Sequence, residues 1–228
     1  VVAIELKNQL TGQSVDDAMR QWEYNRNPKE YAFGFNKRVL AYFACDLYNV
    51  YMTTQLNGAE TVFLPFNQGS NGAGKDGGAG NPTTEDGKYV TSYFWENVLQ
   101  KDKLLDILQK FISYERSEKK KIMPDGSTKT TVSSKVIFPR YHQLDVVREL
   151  VSHVRENGAG HNYLIQHSAG SGKSNSIAWT AYRMASLHDE NNNPIFDSVI
   201  IVTDRRVLDQ QLQATVCLLY TSPSPRDT

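Results

Sequence analysis

The feature that most constrains the fold of this chain is the stretch over residues 163–178. There, an apolar run, a loop of small residues and a helix-compatible run follow one another. Small residues let successive backbone N–H groups curl around an anion, and a following helix points its positive end at the same anion. The stretch therefore predicts the buried strand, the loop and the helix that a phosphate-binding P-loop requires.

The end of this loop carries the residues that would bind ATP and Mg²⁺. As a point charge, Lys173 would reach the β- and γ-phosphates, and the hydroxyl of Ser174 would hold Mg²⁺. His167 stands where the pattern usually begins with glycine, which is tolerable if this residue ends the strand before the tight curl. The alternative is a Gly/Ser loop with a solvated lysine. The candidate nucleotide-binding residues of the loop are Gly170, Ser171, Gly172, Lys173 and Ser174.

The sequence around the loop predicts a parallel α/β domain. A helix is expected over 144–156, and the apolar run at 199–202 is typical of a strand in a parallel sheet. Strand, helix and strand at this spacing form a βαβ unit, which favours a doubly wound α/β fold. Gln143 lies just before the helix and follows the aromatic Phe138. An aromatic ring and a glutamine amide can bind adenine by stacking and a two-point hydrogen bond.

A second candidate site lies at the start of the chain. Residues 1–6 are typical of a strand, and alternation along a strand puts Glu5 and Lys7 on the same side. Metal-dependent DNA cleavage needs carboxylates that hold Mg²⁺ and a lysine that stabilises the developing phosphorane charge. A helix expected after this strand carries Gln21 and Tyr24, which could face the same site. The alternatives are an ordinary surface pair for Glu5 and Lys7 and helix packing for Gln21 and Tyr24.

The remaining segments predict how the chain is organised around these two sites. Strands are expected at 38–45, 49–55 and 61–66, with a hairpin turn between the first two, and helical spacing runs over 93–114. Residues 69–82 are mostly small and polar and predict a flexible insertion. Residues 116–135 are charged and polar and predict a linker. The lysine run at 119–121 is more typical of a solvated face than of a DNA site.

Composition limits the classes of protein that this sequence can represent. The formal net charge is zero, so any contact with nucleic acid must come from local basic patches. The two cysteines are far apart and form no metal-binding spacing, which favours a reducing compartment and predicts a cytoplasmic protein. Neither a transmembrane run nor a signal peptide is recognisable, so we expect no membrane partner.

Both ends of the sequence have the character of a fragment. The chain starts at Val1 inside an apolar strand pattern and without an initiator methionine, so we expect further sequence on that side. Residues 217–228 fit no periodicity and resemble translated sequencing-adapter read-through, which predicts a non-native tail. The alternative is a genuine loop rich in Ser and Pro.

The order of these parts resembles the restriction (R, motor) subunit of type I restriction-modification enzymes. The resemblance rests on Glu5-Leu6-Lys7, Arg140-Tyr141-His142-Gln143, the stretch from His167 to Ser174, and Val202-Thr203-Asp204-Arg205. Residues 50–54 and 63–67, with the glycine-rich insertion, are also similar. The ordered combination is more specific than any one stretch, and it covers roughly residues 1–216.

The resemblance implies an α/β protein of two domains. A PD-(D/E)xK nuclease-like α/β domain, truncated at its N-terminus, would occupy 1–115 with the insertion at 69–82. After a linker at 116–135, a RecA-like P-loop domain would begin. This incomplete ATP-binding lobe of a superfamily 2 helicase-like translocase would occupy 136–216 and precede the tail at 217–228.

The resemblance also implies residue roles and partners. Glu5, Lys7, Gln21 and Tyr24 would be nuclease residues, with Glu5 on Mg²⁺. Gln21 and Tyr24 lie three positions apart where many members of the family have four. Gln143 would sit near the adenine of ATP. The subunit would join modification (methyltransferase) and specificity subunits, translocate double-stranded DNA by ATP hydrolysis, and cleave it.

Several parts of that family lie outside this sequence: an upstream acidic residue, the Asp-Glu box that activates the hydrolytic water, and a second RecA-like lobe. We therefore expect the 228 residues alone neither to hydrolyse ATP at a useful rate nor to cleave DNA. Two other classes of function remain open. In a superfamily 2 helicase or DNA translocase without nuclease activity, the Glu5 and Lys7 pair is incidental. A non-catalytic DNA-binding module predicts no nucleotide binding at all.

Overall fold

A computed structural model describes residues 2–69, 78–84, 87–122, 128–204, 212–217 and 219, which fold as a mixed α/β protein. The strands are β1 (Val2–Leu6), β2 (Ala41–Cys45), β3 (Val50–Thr53), β4 (Leu64–Pro65), β5 (Ser113–Ile122) and β6 (Thr128–Ile137). The α-helices are α1 (Val15–Arg20), α2 (Lys101–Lys110), α3 (Tyr141–Asn157) and α4 (Lys173–Ala185). A 3₁₀ turn at Gln9–Thr11 and π-helical turns at Gln21–Asn25 and Phe94–Val98 lie between them, and 212–217 is helical.

The first four strands form one sheet in the order β1-β2-β3-β4. β1 and β2 are parallel and joined through α1, whereas β2, β3 and β4 are antiparallel neighbours. All of β2 is buried because both of its faces are covered: Phe43 packs in one core, and Tyr42 packs with Trp22 in another. The strand and helix predicted at the start of the chain and the hairpin after them are confirmed, whereas the strand expected at 61–66 shortens to two residues.

A buried carboxylate, Asp46, holds the turn after β2 against the start of α1. Its Oδ1 accepts hydrogen bonds from the backbone N–H groups of Tyr48 and Asn49, both at 2.8 Å. Its Oδ2 accepts one from the backbone N–H of Val15 and one from the side chain of Gln9, both at 2.9 Å. Because the first N–H groups of a helix lack intrahelical acceptors, Asp46 caps α1 from a distant part of the chain and fixes it on the sheet.

The charged stretch predicted as a linker is a β-hairpin in this structure. β5 and β6 pair antiparallel from Ser113 with Ile137 to Ile122 with Thr128, and the tip at 123–127 lies outside the described residues. Most of β6 is exposed. Sequence patterning did not show these strands because a strand that is exposed along most of its length, as β6 is, needs no apolar alternation.

One hydrophobic core continues past the hairpin into the second half of the chain. The rings of Phe43 and Phe66 lie 5.7 and 6.4 Å from that of Phe138 between their centroids. In the same core, Trp179 of α4 donates its indole N–H to the backbone carbonyl of Phe111 at 3.0 Å. The two predicted domains stay a prediction, but their side chains share this core.

An ion-pair cluster fixes α2 to α3 and α4. Oδ2 of Asp106 lies 3.1 Å from Nη1 of Arg183 and 3.4 Å from Nη2 of Arg148, and its Oδ1 lies 3.5 Å from Nζ of Lys110. Burial alone would raise the pKa of the Asp106 carboxyl. The hydrogen bond and charge of Arg183, together with Arg148 and Lys110, outweigh burial and hold this pKa below its ordinary value. The carboxylate therefore stays ionised and bridges three helices.

The two strands expected on either side of the loop and α4 do not form. Residues 161–168 and 199–203 are neither helix nor strand, and they enter no ladder within the part of the chain that the structure describes. Together with α4 they line a cavity of about 420 Å³, while Leu164, Ile200 and Val202 are 94%, 83% and 88% exposed. A parallel sheet needs layers over both faces, and among the described residues one face stays open. In place of the expected βαβ unit, the described residues form a helix flanked by two segments without regular secondary structure.

Amide side chains hold the base of the glycine-rich insertion. Asn67 donates a hydrogen bond to the carbonyl of Ala79 at 2.9 Å, and Asn81 donates one to the carbonyl of Tyr48 at 2.8 Å. The centre of the predicted flexible insertion, 70–77, lies outside the described residues. Across the described ranges, none of the helices combines the length and the apolar character needed to cross a bilayer.

Candidate functional site

The loop before α4 turns through two glycines in the left-handed backbone region. Gly170 has φ +73°, and Gly172, which caps α4, has φ +81°. Such values strain any residue that has a Cβ, so both positions favour glycine. Ser171 between them is buried, and its Oγ has no hydrogen-bond partner in the described structure. A buried hydroxyl without a partner at the start of a helix is a group that a ligand can satisfy.

Lys173, the first residue of α4, folds back over its own loop. Its Nζ donates hydrogen bonds to the backbone carbonyls of Ser168 at 2.8 Å and His167 at 3.3 Å. The ammonium is therefore held at the N-terminal end of α4, where the helix dipole also favours an anion. Ser174 follows in the first turn of the helix and is half-buried.

Both the oxygen and the nitrogen of the Gln143 side-chain amide form hydrogen bonds with other groups of the protein. Oε1 accepts a hydrogen bond from the backbone N–H of Arg140 at 2.9 Å. Nε2 donates to the carbonyls of Gly172 at 2.9 Å and Ser171 at 3.3 Å. The buried amide thus positions the phosphate loop, and the predicted contact with adenine would require it to exchange these bonds.

Two neighbours of Gln143 to which the sequence analysis assigned no role also bind the loop. Arg140 donates from Nη2 to the carbonyl of Gly170 at 2.9 Å, and His142 donates from Nε2 to the carbonyl of Ser171 at 3.0 Å. Arg140 and His142 could have been predicted from their position, because they lie beside Gln143 at the start of α3. Three side chains from this turn therefore fix successive carbonyls of the loop.

A cavity of about 330 Å³ opens beside the loop. Its polar lining comes from Arg140, Gln143, Gly172 and Asn175 on the side of the loop, and from Thr53, Thr54 and Lys135 on the opposite side. Its apolar lining comes from the first sheet and the residues before β4, and from the end of β6 and the residue after it: Met52, Val62, Leu64, Val136, Ile137 and Phe138. A volume of this size, apolar with a few polar groups, is typical of a small-ligand site.

The structure brings Glu5, Lys7 and Gln21 together at the edge of the first sheet. Nζ of Lys7 lies 2.5 Å from Oε1 of Gln21 and 3.7 Å from Oε1 of Glu5. Glu5 and Lys7 therefore share one side of the strand, as alternation predicts. Arg26, which the sequence analysis missed, donates to Oε2 of Glu5 at 3.2 Å. No local pattern marks this arginine, because it follows the helix rather than the strand.

Tyr24 is not part of this cluster. Its side chain is 69% exposed, and it lies with Gln21 in the π-helical turn Gln21–Asn25. A π-helical turn closes from residue i to residue i+5 and is wider than an α-helical turn. Residues three apart no longer share a face, which separates Tyr24 from Gln21.

The predicted Mg²⁺ site at Glu5 is not formed by the described residues alone. Glu5 supplies one carboxylate, and its two oxygens face the cations of Lys7 and Arg26. Within the described ranges there is no group of three or more His, Cys, Asp or Glu residues that could hold a metal ion. A metal at Glu5 would therefore need further acidic ligands.

A family match covers the part of the chain that contains the loop. Residues 142–227 match the family model described as SWI2/SNF2 ATPase. The match includes α4 and extends into 217–227, the segment predicted to be a non-native tail. The non-native origin of that segment stays a prediction. No curated protein and no solved structure matches the chain. The family match supports a helicase-like superfamily 2 ATPase with a P-loop and does not single out a type I restriction subunit within that class.

Proposed function

We propose that this chain is the ATP-binding part of a helicase-like superfamily 2 DNA translocase and that residues 167–174 bind the phosphates of MgATP. The observation that carries the proposal is the loop itself, in which two left-handed glycines lead into Lys173 at the start of α4. Double-stranded DNA is the proposed partner, because the ordered motifs of the sequence resemble those of a DNA-translocating subunit.

The contacts of Lys173 support phosphate binding at this position. Its present acceptors, the carbonyls of His167 and Ser168, are neutral. An anionic phosphate forms stronger, charge-assisted hydrogen bonds with an ammonium and also gains from the helix dipole, so it would displace them. Mg²⁺ bound with the nucleotide would offset charge between the phosphates, and the Ser174 hydroxyl is the group of the loop suited to hold it.

The 330 Å³ cavity supports a nucleoside beside the phosphates. It begins at Gly172 and Asn175, next to the loop, and ends on apolar side chains such as Phe138. A planar base needs apolar contact on its faces and a few polar groups at its edge. Arg140 and Asn175 supply polar groups on the side of the loop.

Lys173→Ala should weaken binding of a fluorescent ATP analogue with Mg²⁺ by about 10- to 100-fold, the loss expected for charge-assisted hydrogen bonds to phosphate. Fluorescence anisotropy of the full chain measures the dissociation constant. Lys101→Ala is the matched control, because Lys101 is also exposed and also begins an α-helix. It should bind like the wild type. If the wild-type chain binds no nucleotide, or if both variants lose affinity equally, the proposal is refuted and a DNA-binding module is favoured.

A DNA-cleaving site at the edge of the first sheet is the second candidate function. It is favoured by the approach of Lys7 to Gln21 and Glu5. In this candidate the Lys7 ammonium stabilises negative charge on a DNA phosphate, and Gln21 positions it. The modification and specificity subunits of a type I restriction enzyme belong to this candidate as partners. The family match begins at residue 142, so the candidate rests on the geometry of the sheet edge.

Lys7→Ala, made in the full-length protein, should lower DNA cleavage by at least about 100-fold, as expected for loss of one electrostatic stabiliser. ATP binding should not change, because Lys7 has no contact with the nucleotide loop. Plasmid nicking and nucleotide anisotropy measure the two effects. The exposed Lys37→Ala is the control. Wild-type cleavage by Lys7→Ala would show that the Glu5 and Lys7 pair is incidental.

A further inference from the structure

His167 is the side chain of the loop to which the proposed function gives no role. Its ring packs edge-on against the ring of His142, with the centroids 4.8 Å apart. Its Nδ1 is buried and has no hydrogen-bond partner in the described structure. Buried polar atoms are almost always paired, so this ring nitrogen requires a physical explanation.

Within the described residues, the charged groups that act on this ring pair are cationic. Arg140 faces the pair from the start of α3, and Lys173 faces it from the start of α4. Burial, then Lys173 and Arg140, lower the pKa of His167. Burial also lowers the pKa of His142, and so do Arg140 and His167. These effects outweigh the hydrogen bond to the Ser171 carbonyl, which raises the same pKa. Both rings are therefore neutral at neutral pH in this arrangement.

Lys173 connects the ring pair to the phosphates. Its Nζ donates to the backbone carbonyl of His167 itself, at 3.3 Å. A triphosphate that binds this ammonium brings several negative charges close to the two imidazole rings. Nearby negative charge favours the protonated form of histidine and opposes the effect of Arg140 and Lys173.

Resting on the proposed function, we propose that His167 is a proton-binding residue of the nucleotide site. When a nucleoside triphosphate engages Lys173, the His142–His167 pair takes up one proton from solvent, and the imidazolium adds to the positive charge that holds the phosphates. Two rings this close bind only one additional proton, because the positive charge of a second imidazolium would be repelled by the first at short range. Affinity should increase by up to about tenfold for each unit fall in pH through the interval of uptake.

Isothermal titration calorimetry of the full chain with a non-hydrolysable MgATP analogue tests this proposal. Titrations at about pH 6.5, the ordinary imidazole pKa, in two buffers of different protonation enthalpy count the protons taken up. We expect net uptake in the wild type that His167→Asn lacks, because asparagine keeps a polar side chain but does not titrate. Comparison with the variant cancels any ionisation of the analogue itself.

His153→Asn is the matched control, because His153 also packs against a histidine ring, that of His161, at 5.1 Å between centroids. It lies in the later part of α3, away from the loop, and its variant should show wild-type uptake. If nucleotide binds without proton uptake, or if all three proteins take up protons equally, the inference is overturned and the proposed function stands. If no nucleotide binds, both fail.

A second measurement needs no variant and tests the inference even if His167→Asn does not fold. Histidine-selective NMR of the wild-type chain follows the imidazole resonances over pH, with and without the analogue. The pKa of His167 must rise on binding. An unchanged pKa of His167 in the nucleotide-bound chain overturns the inference.

Discussion

Replacing Asp106 by alanine should destabilise the full chain by about 2–4 kcal/mol. The substitution leaves two arginines without their shared carboxylate, and the side chain of Arg183 is only 9% exposed. Breaking a fully buried ion pair costs about 3–5 kcal/mol, and the partly exposed Asp106 lowers that figure. Equilibrium unfolding in urea measures the difference in the free energy of unfolding.

Asp102→Ala is the matched control for Asp106→Ala. It removes the same side chain from the same helix, but Asp102 is exposed in the first turn of α2. Its loss should stay below about 1 kcal/mol, the usual contribution of a carboxylate to the helix dipole. Equal unfolding midpoints for the two variants would contradict the role of Asp106 in joining α2 to α3 and α4.

The same carboxylate should make stability depend on pH at the acid end. Because the pKa of Asp106 is lower in the folded protein than its ordinary value, the folded protein binds this proton more weakly than the unfolded chain does. The stabilisation is complete above the unfolded-state pKa of about 3.9 and is lost as the pH falls through the lower, folded-state pKa. Asp106→Asn should therefore lose less stability than the wild type over that acid interval.

Gly172→Ala should destabilise the chain by about 1–3 kcal/mol and weaken nucleotide binding by at least about tenfold. The new Cβ would lie 2.5 Å from Nε2 of Gln143, and φ +81° strains any residue with a side chain. The amide cannot move away freely, because it is buried and donates to the carbonyls of Ser171 and Gly172. Thermal unfolding and nucleotide anisotropy measure the two effects.

Gly170→Ala is the control that distinguishes the two causes of the effect of Gly172→Ala, the clash with Gln143 and the backbone strain. Gly170 has φ +73°, but a Cβ there meets no atom within 4 Å. The substitution should cost only the strain of the left-handed conformation, about 1–2 kcal/mol. Gly158→Ala, equally open and at the end of α3, should keep wild-type affinity. If Gly172→Ala and Gly170→Ala bind nucleotide equally, Gln143 does not position the loop.

Local patterns in the sequence predicted much of the framework. A run rich in β-branched residues indicated β1, and alternation predicted the same-side placement of Glu5 and Lys7. The small residues before Lys173 indicated the loop that leads into α4. These features depend on residues that are close together in the chain, through the composition of a strand, the alternation of its side chains and the small residues of a loop. They could therefore be read without knowing what each element packs against.

Contacts between distant segments were decided only by the tertiary structure. Gln143 and His142 hydrogen-bond to carbonyls of the loop, Arg26 reaches Glu5, and Asp106 binds two arginines from other helices. The pairing of β5 with β6 and the segment at 199–203, which joins no sheet among the described residues, also depart from their local patterns. The physical reason is the same in each case. A strand needs a covered face, and a buried polar group needs a partner, and both come from parts of the chain that no local pattern encodes.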